Sequence, residues 1–278
     1  MGVPEVLMDG IRFGESPRWH EGRLWFSDWG AGQVIAVGPD GRHEVTATVA
    51  SFPMCIDFLP DGRLIIVDSA RRRLVRREPD GSLTEYADLA AAGATPWNDI
   101  VIGGDGSAYV GNIGFDFPGG EFAPGFLALV TPQGKVVRAA DGLAFPNGMV
   151  ITPDGTSLIV AESYAQRLTA FRIGPDGRLS DRRTWAETPG DHPDGICADA
   201  DGAIWYADVA NQHCVRVREG GEVLSTVRTD RGAFACALSR GPDPCLFIVG
   251  QNYGDGEPAG PTGQVVTVPA PAPGAGRP

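Results

Sequence analysis

Short apolar runs that follow a glycine turn recur along the whole chain. In each copy, a turn glycine precedes an apolar strand that ends in a polar side chain, as in residues 22–28 and 202–208. The copies begin at Gly22, Gly62, Gly106, Gly155 and Gly202, and residues 243–250 form a sixth, degenerate copy. The interval of about 40 to 50 residues is the repeat length of a propeller blade.

One copy shows the whole repeating unit. Residues 195–200 and 203–207 are predicted strands joined by the hairpin turn Asp201-Gly202, and residues 214–218 and 223–228 predict two more. We find no convincing amphipathic helix. The pattern therefore predicts an all-β fold, a six-bladed β-propeller with four-stranded blades, over residues 1–268. The Pro/Ala/Gly tail, residues 269–278, is predicted to be flexible.

Composition narrows the classes of partner. The chain has 278 residues, 42% of them hydrophobic, and a net charge of −12, which disfavours nucleic acid and anionic membranes as partners. Its five cysteines lack a C-x-x-C pair, which favours reduced thiols. The first residues lack the pattern of a secretory signal, and no apolar run has the length of a membrane span. We therefore expect a cytoplasmic protein.

Four oxygen-bearing side chains share one repeat position. Asn98, Asn147 and Asp194 lie at the same distance before their turn glycines, and Glu15 lies one residue closer. The first strand of a blade lines the central channel, so these side chains should form a ring around the axis. Met54 and Cys236 fill the ring position in the other two copies. Buried carboxylates and amides of this kind are typical ligands of a divalent cation.

Two features of the pattern have more than one interpretation. The ring residues could instead be the turn-forming Asn and Asp side chains that propellers use in abundance. Residues 113–125 form the longest irregular insertion, and its Phe115, Asp116, Phe117 and Phe122 could either cover a small ligand or pack beneath the loop. The polar residues that end the second strands should surround the same channel mouth, and we favour a structural role for them because Asp and Asn commonly end strands. These residues are Asp28, Asp68, Asn112, Glu162 and Asp208.

The ring residues also carry a family resemblance. The segments Gly14-Glu15-Ser16-Pro17, Asn98-Asp99, Phe145-Pro146-Asn147-Gly148 and Pro193-Asp194-Gly195 resemble, in order, the signatures of the SMP-30/gluconolactonase/luciferin-regenerating-enzyme family. The resemblance covers residues 10–268. It implies a six-bladed propeller that holds one divalent metal ion in its channel, and many members hydrolyse lactones.

The resemblance assigns roles to individual residues. It makes Glu15, Asn147 and Asp194 metal ligands and places Asn98 near the metal, as a ligand or a substrate contact. Asp194 is similar to the family's proposed general base, so Asp194 and Asn98 are the candidate catalytic residues. Calcium is the first choice of cation, with Mg²⁺, Mn²⁺ or Zn²⁺ as alternatives. Candidate substrate contacts around them are Trp97, Asp99, Asn112, Phe115, Phe122 and His192.

One position departs from the family pattern. Members that act on sugar lactones often carry an arginine two residues before the Asn-Asp pair, where this chain has Pro96. Proline cannot replace a guanidinium that contacts hydroxyl groups. We therefore expect a substrate that is less polar than a sugar lactone.

The sequence thus predicts a metal-dependent hydrolase that opens a lactone or other small-molecule ester. The cation would polarise the carbonyl, and Asp194 or a neighbour such as Asp99 would accept a proton from water. The alternatives are a metal-dependent esterase or phosphotriesterase-like propeller, and a propeller that binds a metal or ligand without catalysis. A serine nucleophile is disfavoured, because the repeat places no histidine near Ser16.

Overall fold

The computed structural model describes residues 2–253 and 260–277. Within these residues, six four-stranded antiparallel sheets follow one another around a common axis, which confirms the six-bladed β-propeller. Each sheet begins with its innermost strand, and the first strands of neighbouring blades contact one another around the channel. Two short 3₁₀ turns occur, at Ser69–Arg71 and Ser163–Ala165. No helix in these ranges is long and apolar enough to cross a bilayer.

The strands are numbered in chain order, beginning with β1 (Glu5–Ile11). Blade 1 contains β2 (Gly14–His20), β3 (Arg23–Asp28), β4 (Gln33–Val37) and β5 (His43–Thr48). Blade 2 contains β6 (Ile56–Phe58), β7 (Leu64–Asp68), β8 (Arg73–Arg77) and β9 (Leu83–Asp88). Blade 3 contains β10 (Trp97–Ile102), β11 (Ala108–Asn112), β12 (Gly125–Val130) and β13 (Val136–Leu143).

The second half of the ring repeats this arrangement. Blade 4 contains β14 (Pro146–Ile151), β15 (Ser157–Glu162), β16 (Arg167–Ile173) and β17 (Leu179–Glu187). Blade 5 contains β18 (Pro193–Ala198), β19 (Ile204–Asp208), β20 (His213–Val217) and β21 (Val223–Arg228). Blade 6 contains β22 (Gly232–Leu238), β23 (Cys245–Gln251), β24 (Gly263–Pro269) and, as its outermost strand, β1.

The N-terminal strand closes the ring. β1 pairs antiparallel with β24, so the first and last strands of the chain share one sheet. The core lies between neighbouring blades, where apolar faces of adjacent sheets pack together. One such cluster joins blades 2 and 3 through Leu74, Ile100 and Val110, all fully buried. Apolar residues alternate poorly in the inner strands because both faces of these strands are covered.

The C-terminal segment, which the sequence predicts to be flexible, makes backbone hydrogen bonds to the propeller through its described residues. Its backbone crosses the end of the channel opposite the ring residues and bonds to three blades. Gly274 donates to the Ser239 carbonyl at 2.8 Å, Ala275 to the Ala198 carbonyl at 3.0 Å, and Arg277 exchanges two hydrogen bonds with Ile151. Proline disfavours a regular sheet, yet the carbonyls and the remaining N–H groups still find single partners.

Removing residues 271–278 should therefore destabilise the propeller. The deletion breaks the backbone hydrogen bonds to Ile151, Ala198 and Ser239 and exposes the ends of their strands. We expect a loss of about 2–4 kcal/mol in the free energy of unfolding, measured in guanidinium. Affinity for metal should stay within twofold, because the ring lies at the other end of the channel. An unchanged unfolding midpoint would contradict the bridging role.

Candidate metal and substrate site

Four of the predicted ring residues meet in one cavity. Glu15, Asn98, Asn147 and Asp194 all line a cavity of about 360 Å³ at the end of the channel where the first strands begin. In each of these blades, the first residue of the first strand pairs with the last residue of the second strand, and the floor residue comes directly after it in sequence. The pairs are Gly14–Asp28, Trp97–Asn112, Pro146–Glu162 and Pro193–Asp208. A register shift follows each pair, and such bulges redirect side chains. The four side chains form the floor of the cavity.

Among the described residues, the other two blades contribute no oxygen ligand to this floor. Met54 is fully buried, and its backbone carbonyl accepts a hydrogen bond from the Trp29 indole. The assignment of Cys236 to the ring is wrong. Cys236 pairs with Ile248, three residues before the end of β23, whereas Glu15 pairs with Ser27, one residue before the end of β3. By register the ring position of β22 is Ala233, one residue after Gly232, which pairs with Gln251 at the end of β23; its neighbour Phe234 lines the cavity.

The charged forms of the two floor carboxylates are disfavoured by burial and by each other. Burial, together with the nearby Asp99, raises the pKa of Glu15 to about 8, although a hydrogen bond from the Ser16 amide opposes the rise. Burial and the Glu15 carboxylate raise the pKa of Asp194 well above its usual range. Charge on one carboxylate thus disfavours charge on the other, and a cation between them would remove this cost.

The metal-free protein should become less stable as the pH rises. Between the usual glutamate pKa of 4.5 and about 8, folded Glu15 holds a proton that the unfolded chain releases, so stability is lost as the pH increases. The slope from one such group is at most about 1.4 kcal/mol per pH unit. Thermal unfolding in chelator from pH 5 to 8 measures it. Glu15→Gln, which cannot ionise, should flatten the curve; equal slopes in both proteins would contradict the raised pKa.

A chain of amide and hydroxyl hydrogen bonds joins three blades at the floor. The amide nitrogen of Asn98 donates to Oδ1 of Asn147 at 3.1 Å, and Asn147 donates to the Ser163 hydroxyl at 3.3 Å. Ser163 in turn donates to the Pro193 carbonyl at 2.8 Å. Within the described part of the chain, the one hydrogen-bond donor to Oδ1 of Asn98 is the Cys55 thiol, at 4.0 Å. The chain therefore orients both amides while leaving Asn98 an oxygen and one N–H for a ligand.

His192 lines the cavity, as predicted, with both ring nitrogens engaged. Nδ1 lies 3.0 Å from the Ser163 carbonyl, which can only accept, so this nitrogen carries the proton. Nε2 lies 3.4 Å from the Gln166 amide nitrogen, which can only donate. Both ring nitrogens are thus engaged at the wall, which leaves the floor carboxylates as the candidate bases.

Three predicted substrate contacts lie outside the cavity wall. Trp97 is fully buried in the core, edge-on to Phe126. Asp99 accepts hydrogen bonds from Arg18 at 2.8 Å and from the Met149 amide at 2.9 Å. Asn112 bonds to the side chain and carbonyl of Thr95. A first strand points successive side chains to opposite sides, so neighbours of Asn98 in sequence turn away from it.

The aromatic residues of the loop after β11 are divided between two environments. Phe115 is buried and packs on Ile113 and Phe145, whereas Phe122 is 48% exposed and touches Phe115 and Tyr164. Neither belongs to the cavity lining, so the structure does not place these two predicted contacts at the substrate. Phe117 of the same loop does line the cavity.

The polar ends of the second strands have the structural role that the sequence favoured. Asp28 accepts hydrogen bonds from the backbone amides of Arg12, Phe13 and Ala31. Glu162 and Asp208 likewise accept from the amides of Ala144 and His192, the residues that lead into the first strand of the same blade. These buried carboxylates therefore hold the crossovers from which the floor residues project.

A buried ion-pair layer lies beneath the floor. The Arg18 guanidinium bonds to Asp99 at 2.8 Å and lies 3.8 Å from Asp57, and all three side chains are buried. Asp57 also accepts a hydrogen bond from the Ile102 amide at 2.6 Å. Burial raises the pKa of Asp57 to about 6, although Arg18 opposes the rise. Arg18 lines the pocket at the opposite face, so this layer separates the cavity from that face.

A second group of possible metal ligands lies in blade 5. Ligand atoms of Asp191, Asp208 and His213 lie within 4.8 Å of one another among the described residues. Their hydrogen bonds already explain the cluster. His213 contacts Asp191 at 3.1 Å, the Tyr206 hydroxyl donates to Asp191 at 2.6 Å, and Asn211 bonds to both acids. The network supports the crossover that carries His192 and Asp194.

The sequence analysis missed most of the aromatic side chains around the cavity. They share one signal, because they flank the ends of first and second strands at the floor side of the propeller. Phe13 immediately precedes Gly14, Trp29 immediately follows Asp28, and Phe145 precedes Pro146. The whole set in the lining is Phe13, Trp29, Phe52, Phe117, Phe145, Tyr164, Phe234 and Tyr253.

Comparison with known proteins identifies the family of this chain. The family model of the SMP-30/gluconolactonase/LRE-like region matches residues 13–250. The chain belongs to this family. The diisopropyl-fluorophosphatase of Loligo vulgaris is 26% identical over 60% of this chain and 59% of its own length. Regucalcin of Xenopus laevis is 24% identical over 86% of this chain and 82% of its own.

A solved relative extends the likeness to the fold. A gluconolactonase from Xanthomonas campestris superposes with a TM-score of 0.79 at 25% identity, covering 95% of this chain and 89% of its own. The names of these proteins include hydrolases of lactones and of fluorophosphates. The similarity thus places this chain in a family of propellers that contains hydrolases.

Proposed function

We propose that this protein is a metal-dependent hydrolase that opens a lactone less polar than a sugar lactone. The observation that carries the proposal is the cavity floor, where two carboxylates and two amides from four blades converge. The membership of the chain in the family, and the gluconolactonase among its relatives, support the same reaction.

The chemistry of the donor set fits a hard divalent cation. Glu15, Asn147 and Asp194 would hold it, with Asn98 as a further oxygen ligand or a substrate contact, and calcium is the first candidate. When bound, the ion supplies Lewis-acid polarisation of the ester carbonyl and favours deprotonation of water. The pKa values of Glu15 and Asp194 are raised in the absence of a cation, and a bound cation would favour the charged form of both carboxylates.

The side chains of the site have distinct tasks in the proposed reaction. Asp194, in its ionised form, accepts a proton from the attacking water and passes it to the leaving alkoxide. Asn98 donates one N–H to Asn147, so its second N–H can stabilise the negative charge that develops on the substrate carbonyl oxygen. The Ser163 bonds keep Asn147 in place, and the engaged His192 ring closes the wall beside Asp194.

The serine hydroxyls near the floor are unsuited to nucleophilic attack. The Ser16 hydroxyl donates to the Ile56 carbonyl at 3.2 Å and accepts from the Ile56 amide at 2.9 Å. Ser163 donates to the Pro193 carbonyl. A serine nucleophile needs a base within hydrogen-bond reach, which neither contact provides. This arrangement favours direct attack by water.

The direct test is hydrolysis by protein that has been stripped with chelator. A panel of γ- and δ-lactones is assayed with Ca²⁺, Mg²⁺, Mn²⁺ and Zn²⁺ restored singly. We expect turnover that returns with at least one metal. No metal-dependent turnover on any lactone would overturn the proposal; stabilisation by calcium without turnover would instead favour a binding protein.

A second candidate reaction follows from one relative. The similarity to diisopropyl-fluorophosphatase favours a phosphotriester substrate in the same cavity. The same metal-restored protein is therefore also assayed with a fluorophosphate and an aryl phosphotriester. Turnover confined to these phosphorus esters would replace the lactonase proposal by this one.

A further inference from the structure

Two groups of aromatic side chains form facing walls above the cavity floor. The first wall, hereafter the blade 1 wall, consists of Phe13, Trp29, Phe52, Phe234 and Tyr253. Phe13 and Trp29 are stacked, with ring centroids 5.1 Å apart and planes within 3°. Phe52 and Phe234 contact Phe13 edge to face at 5.7 and 5.1 Å. Each ring is therefore fixed by its neighbours.

The second wall, hereafter the blade 4 wall, consists of Phe117, Phe145 and Tyr164. Phe117 contacts Phe145 edge to face at 5.0 Å, and Phe145 lies 4.9 Å from Tyr164. Phe115 and Phe122 pack behind these rings. The loop after β11 therefore contributes one ring to the cavity and two that support it.

The two walls lie on opposite sides of the channel. Phe13 and Trp29 flank the strands of blade 1, and Phe234 belongs to β22 of blade 6. Phe117 lies between strands of blade 3, and Tyr164 directly follows β15 of blade 4. In a closed ring of six blades, blade 4 is opposite blade 1 and blade 3 is opposite blade 6. A ligand above the floor is thus enclosed by aromatic surfaces on two sides.

The backbone conformation at Phe145 is strained, so holding this ring of the blade 4 wall in place costs conformational free energy. Phe145 has a φ of 60°, in the left-handed region that a bulky side chain rarely adopts. Such strain persists where the surrounding contacts determine it, and it concentrates at ligand sites. Phe145 leads directly into Asn147, so the strained turn places a wall ring and a floor ligand together.

The walls offer little to a polyhydroxylated ligand. Among the described residues of the lining there is no lysine or arginine. Above the four floor residues, the polar side chains inside are Ser163 and His192, whose hydrogen bonds are made within the protein. The two tyrosines are 51% and 67% exposed at the rim. Hydroxyl groups held between the walls, away from the floor, would lose water without gaining partners.

We propose that the cavity binds a planar aromatic ring, between the blade 1 and blade 4 walls, that is fused to the ester ring of the substrate. The inference rests on the proposed function for the ester and on the walls for the ring. A volume of about 360 Å³ suits a molecule of two fused rings, with its carbonyl at the floor and its aryl part between the walls. The substrate class is thus an aryl-fused lactone.

Binding is tested without catalysis by using lactams, which keep the shape of the lactone and resist hydrolysis. 3,4-Dihydroquinolin-2-one carries the fused aromatic ring, and δ-valerolactam lacks it. We expect the aryl lactam to bind at least about tenfold more tightly, with a change in Trp29 fluorescence, in calcium-loaded protein. Equal affinities, or no binding of the aryl lactam, would overturn the inference.

Two variants separate the walls from the fold. Phe52 is 48% exposed and lines the cavity, whereas Val223 is 57% exposed on β21 and lies outside the cavity. We expect Phe52→Ala to weaken the aryl lactam about 5–10-fold and δ-valerolactam less than twofold. Val223→Ala should leave both affinities within twofold. Equal effects of the two variants would mean that the walls do not contact the ring, which overturns the inference.

Catalysis supplies an independent readout. The kcat/KM values for dihydrocoumarin, δ-valerolactone and glucono-δ-lactone are each divided by the rate constant for hydrolysis by hydroxide, which removes differences in intrinsic reactivity. We expect the corrected value for the aryl-fused lactone to exceed that of the sugar lactone at least about 100-fold. The reverse order would overturn the aryl substrate class while leaving the lactonase proposal intact. Loss of turnover on every lactone, with aryl lactam still bound, would overturn only the lactonase proposal.

Discussion

Replacing Asp194 by asparagine is expected to lower kcat/KM for lactone hydrolysis by about 1000-fold or more. Asparagine keeps the size of the side chain and one oxygen but carries no charge and cannot accept the proton of the attacking water. The carboxylate lies at the floor beside Glu15, and the other wall base, His192, has both nitrogens engaged. His192 is therefore not free to take over the role. The measurement is steady-state kinetics with metal in excess.

Asp201 provides the matched control for this change. It lies in the same blade, bonds to Arg216 at 2.8 Å, and is far from the floor at the opposite end of the first strand. Asp201→Asn should keep kcat/KM within twofold. If Asp194→Asn retained more than a tenth of the activity, Asp194 would not be the base, and the attacking water would have to be activated without it.

Replacing Arg18 by methionine is expected to destabilise the protein by about 3–5 kcal/mol. The substitution leaves the buried Asp99 and Asp57 carboxylates without their cation. Methionine fills most of the space, so the loss reports unpaired charge rather than an empty volume. The measurement is the free energy of unfolding in guanidinium at pH 7.

A second substitution shows whether charge is the cause. Asp99→Asn removes one of the two carboxylate charges that Arg18→Met leaves unpaired, and the asparagine oxygen can still accept the hydrogen bond from the Met149 amide. The double variant Arg18→Met/Asp99→Asn should recover at least about a third of the loss. Arg63→Met, which breaks an ion pair at the surface with Asp61, serves as the control and should have little effect. A loss in Arg18→Met that is no larger than in Arg63→Met would contradict the ion-pair layer.

The repeat made the fold and the floor predictable. Turn glycines and apolar runs define the register of each blade, so Glu15, Asn98, Asn147 and Asp194 reach one height where the distance from the bulge to the turn is similar. Counting back from the turn failed at Cys236, because the connection between the first two strands is longer in blade 6: Leu238 pairs with Leu246, whereas Ala198 pairs with Ile204 in blade 5. A pattern can therefore identify the ring only where its spacing is regular.

The surroundings of the floor were less predictable, because they depend on contacts between distant segments. Asp99 follows Asn98 in sequence, yet its partner Arg18 comes from blade 1 and cannot be identified by spacing. The tail was predicted to be flexible from its composition, which does not reveal its backbone hydrogen bonds to three blades. The aromatic walls are assembled mostly from loops and crossovers, where no period repeats.

The most direct test of the metal floor is equilibrium dialysis of chelator-stripped protein against calcium at pH 8. We expect one calcium ion per chain in the wild type and in Asp201→Asn, and a loss of at least about 100-fold in affinity in Glu15→Gln and Asp194→Asn. The affinity of the wild type should also fall as the pH is lowered, because protons compete for the two carboxylates. Binding that is unchanged in both floor variants, or no binding of any divalent ion by the wild type, would contradict the metal floor.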